Sequence, residues 1–554
     1  MDRTAPWRAA AAGALVAALI TLPGLGIGTL WDNSETAYGE VAREVLLYHD
    51  AIVMHFNGSP WFVQPPLYFW IAAFFAHWLG VTPFALRLPS ALATVATSAW
   101  VGYAVARFGT ARAAILSAVI LSTTLMVAIV GRLAIMDALL DLAVAGAILS
   151  FALALRPRAG ANTARPWIVA WVAMALGVLA KGPVAVVIAA LVVLPWLLWE
   201  RALGLEIARP KVRNWIAGVL LFVLLVAPWF LAVSLRAGTQ ATAQLIGHYS
   251  VGRYLGTIEN QTGAIWYYLP VIVLGFFPWF AFLPPALWSA ARAARSLGAS
   301  GSLARLAVVW AVLPFLFFSL AQTKLPNYIA LEFPAFAICV GLWFDGVAAR
   351  LRRRAALAWT ALVPVTIAGL AVAIGIFSRT MHLTADTHRS LGDLSLLGLI
   401  MVCGSVACFV LLVSAKTARL APYSLAAATF VSVLVIALVA EPHVETLKPI
   451  PQLARLIRDQ RAAGDAVAIQ GVAGGNALVF YTAPKVATLD DGASPREGAT
   501  DPRVAICGAS RAFVITSVHR VRASTYGRVR HTLAVVDGDV LYLYDGPHCS
   551  GSST

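Results

Sequence analysis

The sequence predicts a polytopic α-helical membrane protein with about thirteen transmembrane helices and a small C-terminal α/β domain. Its 554 residues are 60% hydrophobic and only 12% charged, and the mean hydropathy is +0.79. A soluble chain of ordinary composition carries about twice that charged fraction. Apolar runs long enough to cross a bilayer recur up to about residue 440, and the composition becomes polar after residue 445.

The apolar runs give the predicted spans in order. They lie near residues 9–28, 88–106, 113–131, 137–155, 167–180, 182–199, 214–234, 265–288, 304–321, 328–346, 356–377, 394–414 and 420–440. The first run is predicted to be a retained helix rather than a signal peptide, because it can span and no small-residue cleavage site follows it. Residues 1–444 would then form the transmembrane domain.

A shorter apolar run at 65–80, PPLYFWIAAFFAHWLG, is predicted to be a juxtamembrane helix at the outer surface. If this run does not cross, every basic loop falls on the side of the N-terminus, which the positive-inside rule makes cytoplasmic. The stretch 29–87, the loop 235–264 and all residues after 441 then lie on the outer side. We therefore expect the outer side to carry the chemistry.

Residues 445–554 are predicted to form an α/β domain outside the membrane. An amphipathic helix, IPQLARLIRDQRAAG, precedes strand-like runs AVAIQGV, ALVFYT, RVAICG, AFVITS and LAVVDGDVLYLY, the last with an Asp-Gly turn. Cys507 and Cys549 could pair there if the compartment is oxidising.

Composition also excludes some functions. The net charge of +15 resides largely in short loops between apolar runs, so it fits membrane orientation rather than nucleic-acid binding. No close cluster of Cys and His residues predicts a structural zinc site. The sequence requires no cofactor, and a divalent metal bound by outer carboxylates stays an open alternative.

Carboxylates are concentrated beside the first span, in LWDNSETAYGEVAREVL. Asp32 and Glu35 would share one helix face, and Glu40 and Glu44 another. Charge at a membrane face is costly and usually has a task, although a solvated acidic loop is an equal alternative. Asp137, in GRLAIMDALLD, either caps a helix start or is a further acidic site residue.

Several cations also lie on the predicted outer side. Lys181 precedes a Gly-Pro helix break in GVLAKGPVAVV, where it either reaches the interface or holds a phosphate. Lys324 and Tyr328 in TKLPNYIA repeat the pattern, and Arg253 in VGRYLG adds a further cation. Acids beside such cations suit group transfer with a phosphate leaving group, because carboxylates handle protons or a sugar cation and cations stabilise the departing phosphate.

Several blocks in order carry a resemblance to a known family. They are LWDNSETAYGEVAREVL, FNGSPWFVQPPLYFW, FALRLPSAL, AIMDALLDLAVAG, LAKGPVAV, VGRYLGTIENQTGAIWYYLPV, GFFPWFAFLPPALW and FFSLAQTKLPNYIALEFPAF. Over positions 30 to about 340 the chain resembles bacterial membrane glycosyltransferases related to the protein O-mannosyltransferases, in particular the lipid A aminoarabinose transferases. The resemblance implies a GT-C fold with a periplasmic catalytic cavity in the bacterial inner membrane.

The resemblance also implies substrates and roles. The donor would be 4-amino-4-deoxy-L-arabinose on undecaprenyl phosphate, and the acceptor a phosphate of lipid A. The implied catalytic residues are Asp32, Glu35 and Asp137, and those at the donor phosphate are Lys181, Arg253, Lys324 and Tyr328. A substrate pocket is expected to include Tyr38, Glu40, Arg43, Arg87 and Arg132.

Two departures from the family pattern leave questions open. Many relatives have an Asp-Glu pair where this chain has Ser34-Glu35, so the key acid is either Asp32 or Glu35. The relatives' Lys-Pro before the juxtamembrane segment is here Gln64-Pro65, which removes one expected cation.

Two other functions remain as alternatives. Within the same fold, the chain could transfer a different polyprenyl-phosphate sugar, such as mannose, to protein or to another glycan. A transporter is less favoured, because the polar residues gather at outer helix ends rather than at mid-membrane.

Overall fold

A computed structural model describes residues 4–157, 160–256, 261–380, 385–445, 448–470, 472, 475–482, 485–488, 506, 509–517, 529–536 and 539–545. Cys507 and Cys549, the run RVAICG apart from Ile506, and the Asp-Gly turn lie outside these residues.

Helices dominate the first 445 residues. Numbered along the chain, the elements are α1 (Ala5–Thr21), α2 (Ser34–Tyr48), β1 (His55–Phe56), β2 (Ser59–Pro60), α3 (Leu67–Leu79), α4 (Pro83–Phe108), α5 (Ala111–Ser122), α6 (Leu125–Val130), α7 (Asp137–Leu155), α8 (Ala164–Lys181), α9 (Val184–Ala202), α10 (Val212–Ala237), α11 (Thr239–Ala243), α12 (Arg253–Leu255), α13 (Tyr268–Gly275), α14 (Leu283–Ala293), α15 (Ala299–Leu320), α16 (Phe333–Asp345), α17 (Arg350–Thr360), α18 (Leu362–Thr380), α19 (Ala385–Val413), α20 (Ala421–Val435) and α21 (Glu441–Glu445). Short 3₁₀ segments, including Pro326–Glu332, and a π-helix at Gln244–Gly252 link some of them.

Ten helical runs among the described residues are long and apolar enough to cross a membrane. The bent pair Tyr268–Gly275 and Trp279–Ala293, at 112°, would make an eleventh. Two other predicted spans correspond to shorter apolar helices, Ala5–Thr21 and Ala111–Ser122. The multi-span helical architecture is confirmed, and the count of thirteen stays a prediction.

The helix α7 lies at the centre of the bundle. It packs against α4, α8 and α9, and most of its side chains are buried. The surrounding core is aromatic, with fully buried Trp196, Trp279 and Trp310. The start of α7 and the end of α8 lie at one end of the bundle because the two helices pack as consecutive neighbours. We call this the α7 N-terminal end.

The juxtamembrane segment forms α3, which is 13 residues long. At about 20 Å it is shorter than the hydrocarbon core of a bilayer. It packs against α2 and α4, and its Trp70 donates its indole N–H to the carbonyl of Ala51, 2.7 Å away. The segment is thus attached to the stretch between α1 and α4, and its position at the outer surface stays a prediction.

Beyond residue 448 the chain forms a small α/β unit. Its elements are α22 (Pro449–Gln460), β3 (Ala466–Gln470), α23 (Gly475–Thr482), β4 (Val486–Thr488), β5 (Arg511–Ser517), β6 (Val529–Val536) and β7 (Asp539–Asp545). The sheet order is β4-β3-β5-β7-β6, with β4, β3 and β5 parallel and the last two pairings antiparallel. Ile450, Leu453 and Ile457 bury one face of α22 in the same core as the sheet.

One predicted strand is wrong. The run ALVFYT lies in helix α23, not in the sheet. A short apolar run fits a buried strand and a buried helix equally, so its period cannot decide. Tertiary packing decides here, because α23 packs against α22 and α2 and buries Leu478 and Val479.

Candidate active site

Asp137 is the first residue of α7, where a carboxylate also interacts favourably with the helix dipole. Its Oδ1 accepts hydrogen bonds from Lys181 Nζ at 2.5 Å and from Asn327 Nδ2 at 2.6 Å. Its Oδ2 has no hydrogen-bond partner among the described residues. Asp137 is therefore held in place through one oxygen, and the other stays open for further contacts.

Lys181 reaches Asp137 because α8 ends at this lysine. Gly182 adopts a φ of +93°, which an L side chain rarely adopts, and Pro183 follows it. The Lys181 side chain is mostly buried, with 14% of it exposed, and its ammonium lies 5.2 Å from the centre of the Tyr328 ring. That ring face adds a cation–π contact to the ion pair.

The third segment that contributes to this cluster is the 3₁₀ segment Pro326–Glu332, which presents Asn327 and Tyr328. Arg253, at the start of α12, donates from Nη1 to the Tyr328 hydroxyl at 3.2 Å. We name Asp137, Lys181, Arg253, Asn327 and Tyr328 the Asp137 cluster. It joins α7, α8, α12 and the 3₁₀ segment in one polar network.

Lys324 lies beside this cluster, just before the 3₁₀ segment. Its backbone N–H donates to the carbonyl of Gln261 at 3.0 Å, and its ammonium donates to the carbonyl of Ala321. The residue is 6% exposed, and no carboxylate lies within ion-pair distance among the residues described. Burial lowers the pKa of Lys324. A buried cation without a carboxylate favours an anionic ligand.

Close packing in this region requires a glycine. A Cβ on Gly263 would lie 2.8 Å from the Tyr267 ring and 3.0 Å from the Cδ of Lys324. The Lys324 stem therefore packs directly on the backbone of the loop that follows Arg253.

Glu35 is fully engaged in the structure. Both of its oxygens bind Arg87, at 2.9 Å from Nε and 2.9 Å from Nη2. The backbone N–H groups of Trp31 and Ala134 donate to it as well, at 2.9 and 2.5 Å. Ala134 belongs to the loop that leads into Asp137, so Glu35 anchors that loop to the stretch between α1 and α4, residues 22–82.

Arg87 also binds the chain that follows α1. Its guanidinium also donates to the carbonyls of Leu25, Ile27 and Thr29, at 3.0–3.1 Å. Both side chains of the Glu35–Arg87 pair are almost completely buried. The pair thus fixes the chain between α1 and α2 against the start of α4.

Asp32 has a different environment from Glu35. Its Oδ1 accepts from the Thr36 hydroxyl at 2.9 Å and from the backbone N–H of Ala477 in α23 at 3.0 Å. Its Oδ2 has no hydrogen-bond partner within the described part of the chain. The residue as a whole is exposed, yet burial of its carboxyl raises the pKa of Asp32 against those two hydrogen bonds.

Helix α2 holds the other acids. Glu40 forms a bidentate ion pair with Arg43, at 2.8 and 2.5 Å. Glu44 accepts from the backbone N–H of Gly58 at 3.0 Å and is buried beside Glu40. Burial, and next the neighbouring Glu40, raises the pKa of Glu44 to about 8. The two glutamates therefore form a buried pair that favours one shared proton.

The remaining expected pocket residues have local partners. Arg132 donates to the carbonyls of Ile20, Thr21 and Pro23 at the end of α1. Tyr38 packs edge-on against Trp61, Tyr68 and Phe69. The structure thus brings together Asp137, Lys181, Arg253 and Tyr328. By contrast, Arg132, Tyr38, Glu40, Arg43 and Arg87 make contacts within or beside the stretch between α1 and α4.

The sequence pattern does not mark Asn327 as a site residue. It lies between Lys324 and Tyr328 in TKLPNYIA, and a lone amide carries no charge pattern that would distinguish it. Contacts from the C-terminal unit were missed as well, since Ala477 binds Asp32 through its backbone N–H, which no side-chain pattern reveals. Within the described residues, no group of three or more His, Cys, Asp or Glu could hold a metal ion.

A family model described as dolichyl-phosphate-mannose-protein mannosyltransferase matches residues 63–231. An undecaprenyl phosphate-α-4-amino-4-deoxy-L-arabinose arabinosyl transferase from Pectobacterium carotovorum is 30% identical over 371 residues, which cover 65% of this chain and 63% of that protein. A protein of the same name from Erwinia tasmaniensis is 32% identical over 58% of this chain and 56% of its own length. The chain thus spans somewhat less than two thirds of these relatives.

Solved structures extend the likeness to the whole chain. The crystal structure of ArnT from Cupriavidus metallidurans bound to undecaprenyl phosphate superposes with a TM-score of 0.78 and 20% identity, covering 98% of each chain. The archaeal oligosaccharyltransferase AglB from Archaeoglobus fulgidus gives a TM-score of 0.51 with 11% identity, over 93% of this chain and 69% of that one. At these identities the likeness concerns the fold. The resemblance seen in the sequence is therefore confirmed: this chain has the GT-C fold and is similar in sequence to bacterial membrane glycosyltransferases related to the protein O-mannosyltransferases.

Proposed function

We propose that the chain is a lipid-linked-sugar glycosyltransferase of the bacterial inner membrane. It moves 4-amino-4-deoxy-L-arabinose from undecaprenyl phosphate to a phosphate of lipid A at the periplasmic face. The observation that carries this proposal is the Asp137 cluster beside Lys324, a buried cation with no carboxylate within ion-pair distance among the described residues. The names of the sequence relatives support the choice of donor.

The cations suit the departure of a phosphate. In the transfer, an oxygen of the acceptor phosphate forms a bond to C1 of the sugar. The bond between C1 and the oxygen of undecaprenyl phosphate breaks, and its electron pair goes to the departing phosphate. Lys324 and Arg253 stabilise the charge that grows there, and fixed donors in a site of low dielectric do this without reorganisation.

The carboxylates have separate tasks in this proposal. The acceptor phosphate is already ionised, so the reaction needs no strong base. Asp137 aligns Lys181 and presents its open Oδ2 to the sugar, and Asp32 presents its own Oδ2 to the donor amine. Glu35 has both oxygens occupied by Arg87 and backbone groups, so it acts as a positioning residue.

Orientation follows from charge. The basic loops, including those around Arg156, Arg201 and Arg354, meet the helix ends opposite to Asp137 and Lys181. The positive-inside rule favours a cytoplasmic position for that end, which supports a periplasmic position for the Asp137 cluster.

Mass spectrometry of lipid A tests the proposal. Cells that lack the gene are complemented with wild-type protein, with Lys324→Ala, or with Lys416→Ala, an exposed lysine of a basic loop. We expect an added amino-pentose with the wild type and Lys416→Ala, and a loss of about 100-fold in transfer rate with Lys324→Ala. Unmodified lipid A in the cells complemented with wild-type protein would overturn the proposal. A hexose on protein in those cells would establish the mannosyl alternative instead.

A further inference from the structure

An apolar groove lies between α8, α9 and α10 and extends along α9 to the bundle end opposite to the Asp137 cluster. It encloses about 840 Å³, within the range of about 300–1,000 Å³ that small-molecule sites occupy. Its walls come from the end of α7, the first half of α8, most of α9, the loop 205–210 and the start of α10. None of these residues belongs to the site described above.

Tryptophans form one wall of the groove. Trp167, Trp171 and Trp215 contact one another, with ring centres 4.7 Å apart for Trp167 and Trp215. Trp167 is buried, and its indole N–H donates to the carbonyl of Asn214 at 2.9 Å. This wall is apolar, and exposed Leu194 lies on the α9 side. Such a surface suits a hydrocarbon chain.

Two exposed arginines, Arg201 and Arg209, border the groove. Within the described residues neither guanidinium forms an ion pair or a hydrogen bond. By contrast, the neighbouring Arg156 and Arg305 share the buried Glu200. Glu206 is the single carboxylate among the groove residues, so the border keeps an excess of positive charge.

The length of the groove is sufficient for one acyl chain. Along α9 the groove runs from Val186 to Arg201, a rise of about 22 Å. Because this exceeds half of the bilayer hydrocarbon core, about 15 Å, an acyl chain of the leaflet on the Arg201 side can lie in the groove along its whole length, with its head group at the level of Arg201. The basic loops at this end place that leaflet on the cytoplasmic side.

We propose that this groove is a binding site for an anionic diacyl glycerophospholipid of the cytoplasmic leaflet. One acyl chain lies against the tryptophan wall and α9, and the head-group phosphate binds Arg201 and Arg209. A phosphate takes bidentate hydrogen bonds from guanidinium groups, which gives preference for anionic over zwitterionic lipid. The site is separate from the one proposed for glycosyl transfer, since none of its lining residues belongs to the Asp137 cluster.

Native mass spectrometry of the full chain in detergent tests the head-group part. The protein is titrated with phosphatidylglycerol and, separately, with phosphatidylcholine. We expect tighter binding of phosphatidylglycerol, and a loss of about tenfold or more in the double variant Arg201→Gln/Arg209→Gln. The matched control Arg354→Gln removes an exposed arginine from the first turns of α17 and should leave binding unchanged. Equal binding of the two lipids by the wild type would overturn the proposal.

A second pair of variants tests the apolar part. Ala190→Phe fills the groove, whereas Leu198→Phe adds the same ring at an exposed position of α9 that is not among the groove residues. We expect the first variant alone to lose phosphatidylglycerol adducts. If Ala190→Phe instead removes bound undecaprenyl phosphate and leaves phosphatidylglycerol adducts intact, the groove holds the polyprenyl lipid and the assignment is wrong.

Discussion

At the scale of single residues, the two candidates for the key acid, Asp32 and Glu35, have different environments. Glu35 uses both oxygens on a buried arginine and two backbone N–H groups. Asp32 uses only Oδ1. Removing one partner of a buried ion pair leaves an uncompensated charge, whereas a half-engaged exposed carboxylate contributes little to stability.

This contrast predicts opposite effects of two amide substitutions. Glu35→Gln should lower the free energy of unfolding by about 3–5 kcal/mol, because Arg87 is left buried without its counter-charge. Asp32→Asn should change it by less than about 1 kcal/mol and lower the transfer rate instead. Thermal unfolding in detergent and a lipid A transfer assay measure the two effects. Equal destabilisation by both substitutions would contradict the separate roles.

The pair of Asp137 and Lys181 gives a second prediction at this scale. Asp137→Asn keeps the shape and the acceptor for Asn327 but removes the charge that aligns Lys181. We expect the transfer rate to fall about 100-fold or more in Asp137→Asn and in Lys181→Ala. The double variant should fall little further, because the two residues act as a unit. Fully additive losses would show that they act independently.

At the scale of elements, helix α2 buries two neighbouring glutamates, Glu40 and Glu44, whose negative charges repel each other. Its buried Glu44 has a pKa raised to about 8 by burial and by Glu40, against an ordinary value of 4.5. The folded state therefore binds a proton that the unfolded state releases above pH 4.5. Stability from this group is complete below that pH and is lost as the pH rises towards 8.

Glu44→Gln should remove this pH dependence. A glutamine stays neutral at every pH. The melting temperature of the variant minus that of the wild type should therefore increase by a few degrees as the pH rises from 5 to 8. Melting curves in detergent across that range measure the difference. Glu206→Gln, which replaces an exposed glutamate, is the control and should show no such trend. A constant difference between Glu44→Gln and the wild type would refute the shared proton.

At the scale of the whole molecule, the C-terminal α/β unit docks on the stretch between α1 and α4. Asn57 exchanges two hydrogen bonds with the backbone of Val486, at 2.9 and 3.0 Å. The backbone N–H of Leu30 donates to the Tyr481 hydroxyl at 2.7 Å, and Lys448 lies 3.9 Å from the Trp31 ring centre. The unit therefore braces the segment that carries Asp32.

Asn57→Ala should weaken this docking. Loss of the two hydrogen bonds leaves both backbone groups of Val486 without their partner, at a cost of about 1–3 kcal/mol. We expect faster hydrogen exchange in 449–488 and a modest fall in transfer rate. Asn162→Ala, at an exposed helix start on the opposite end of α8, should change neither quantity. Unchanged exchange in Asn57→Ala would show that the docking rests on other contacts.

The sequence by itself determined the membrane class, the positions of most helices, the break after Lys181 and the cations of the candidate site. It could do so because a bilayer requires every backbone polar group to be bonded within its own segment, so apolar length and charge in loops suffice. Only the tertiary structure decided that ALVFYT is a helix, that both oxygens of Glu35 bind Arg87, and that Asn327 completes the Asp137 cluster. Those choices depend on partners 52 residues away for Glu35 and Arg87 and 190 for Asp137 and Asn327. Hydrogen bonds over such separations leave no local period or pattern, because only the packed helices bring the two groups together.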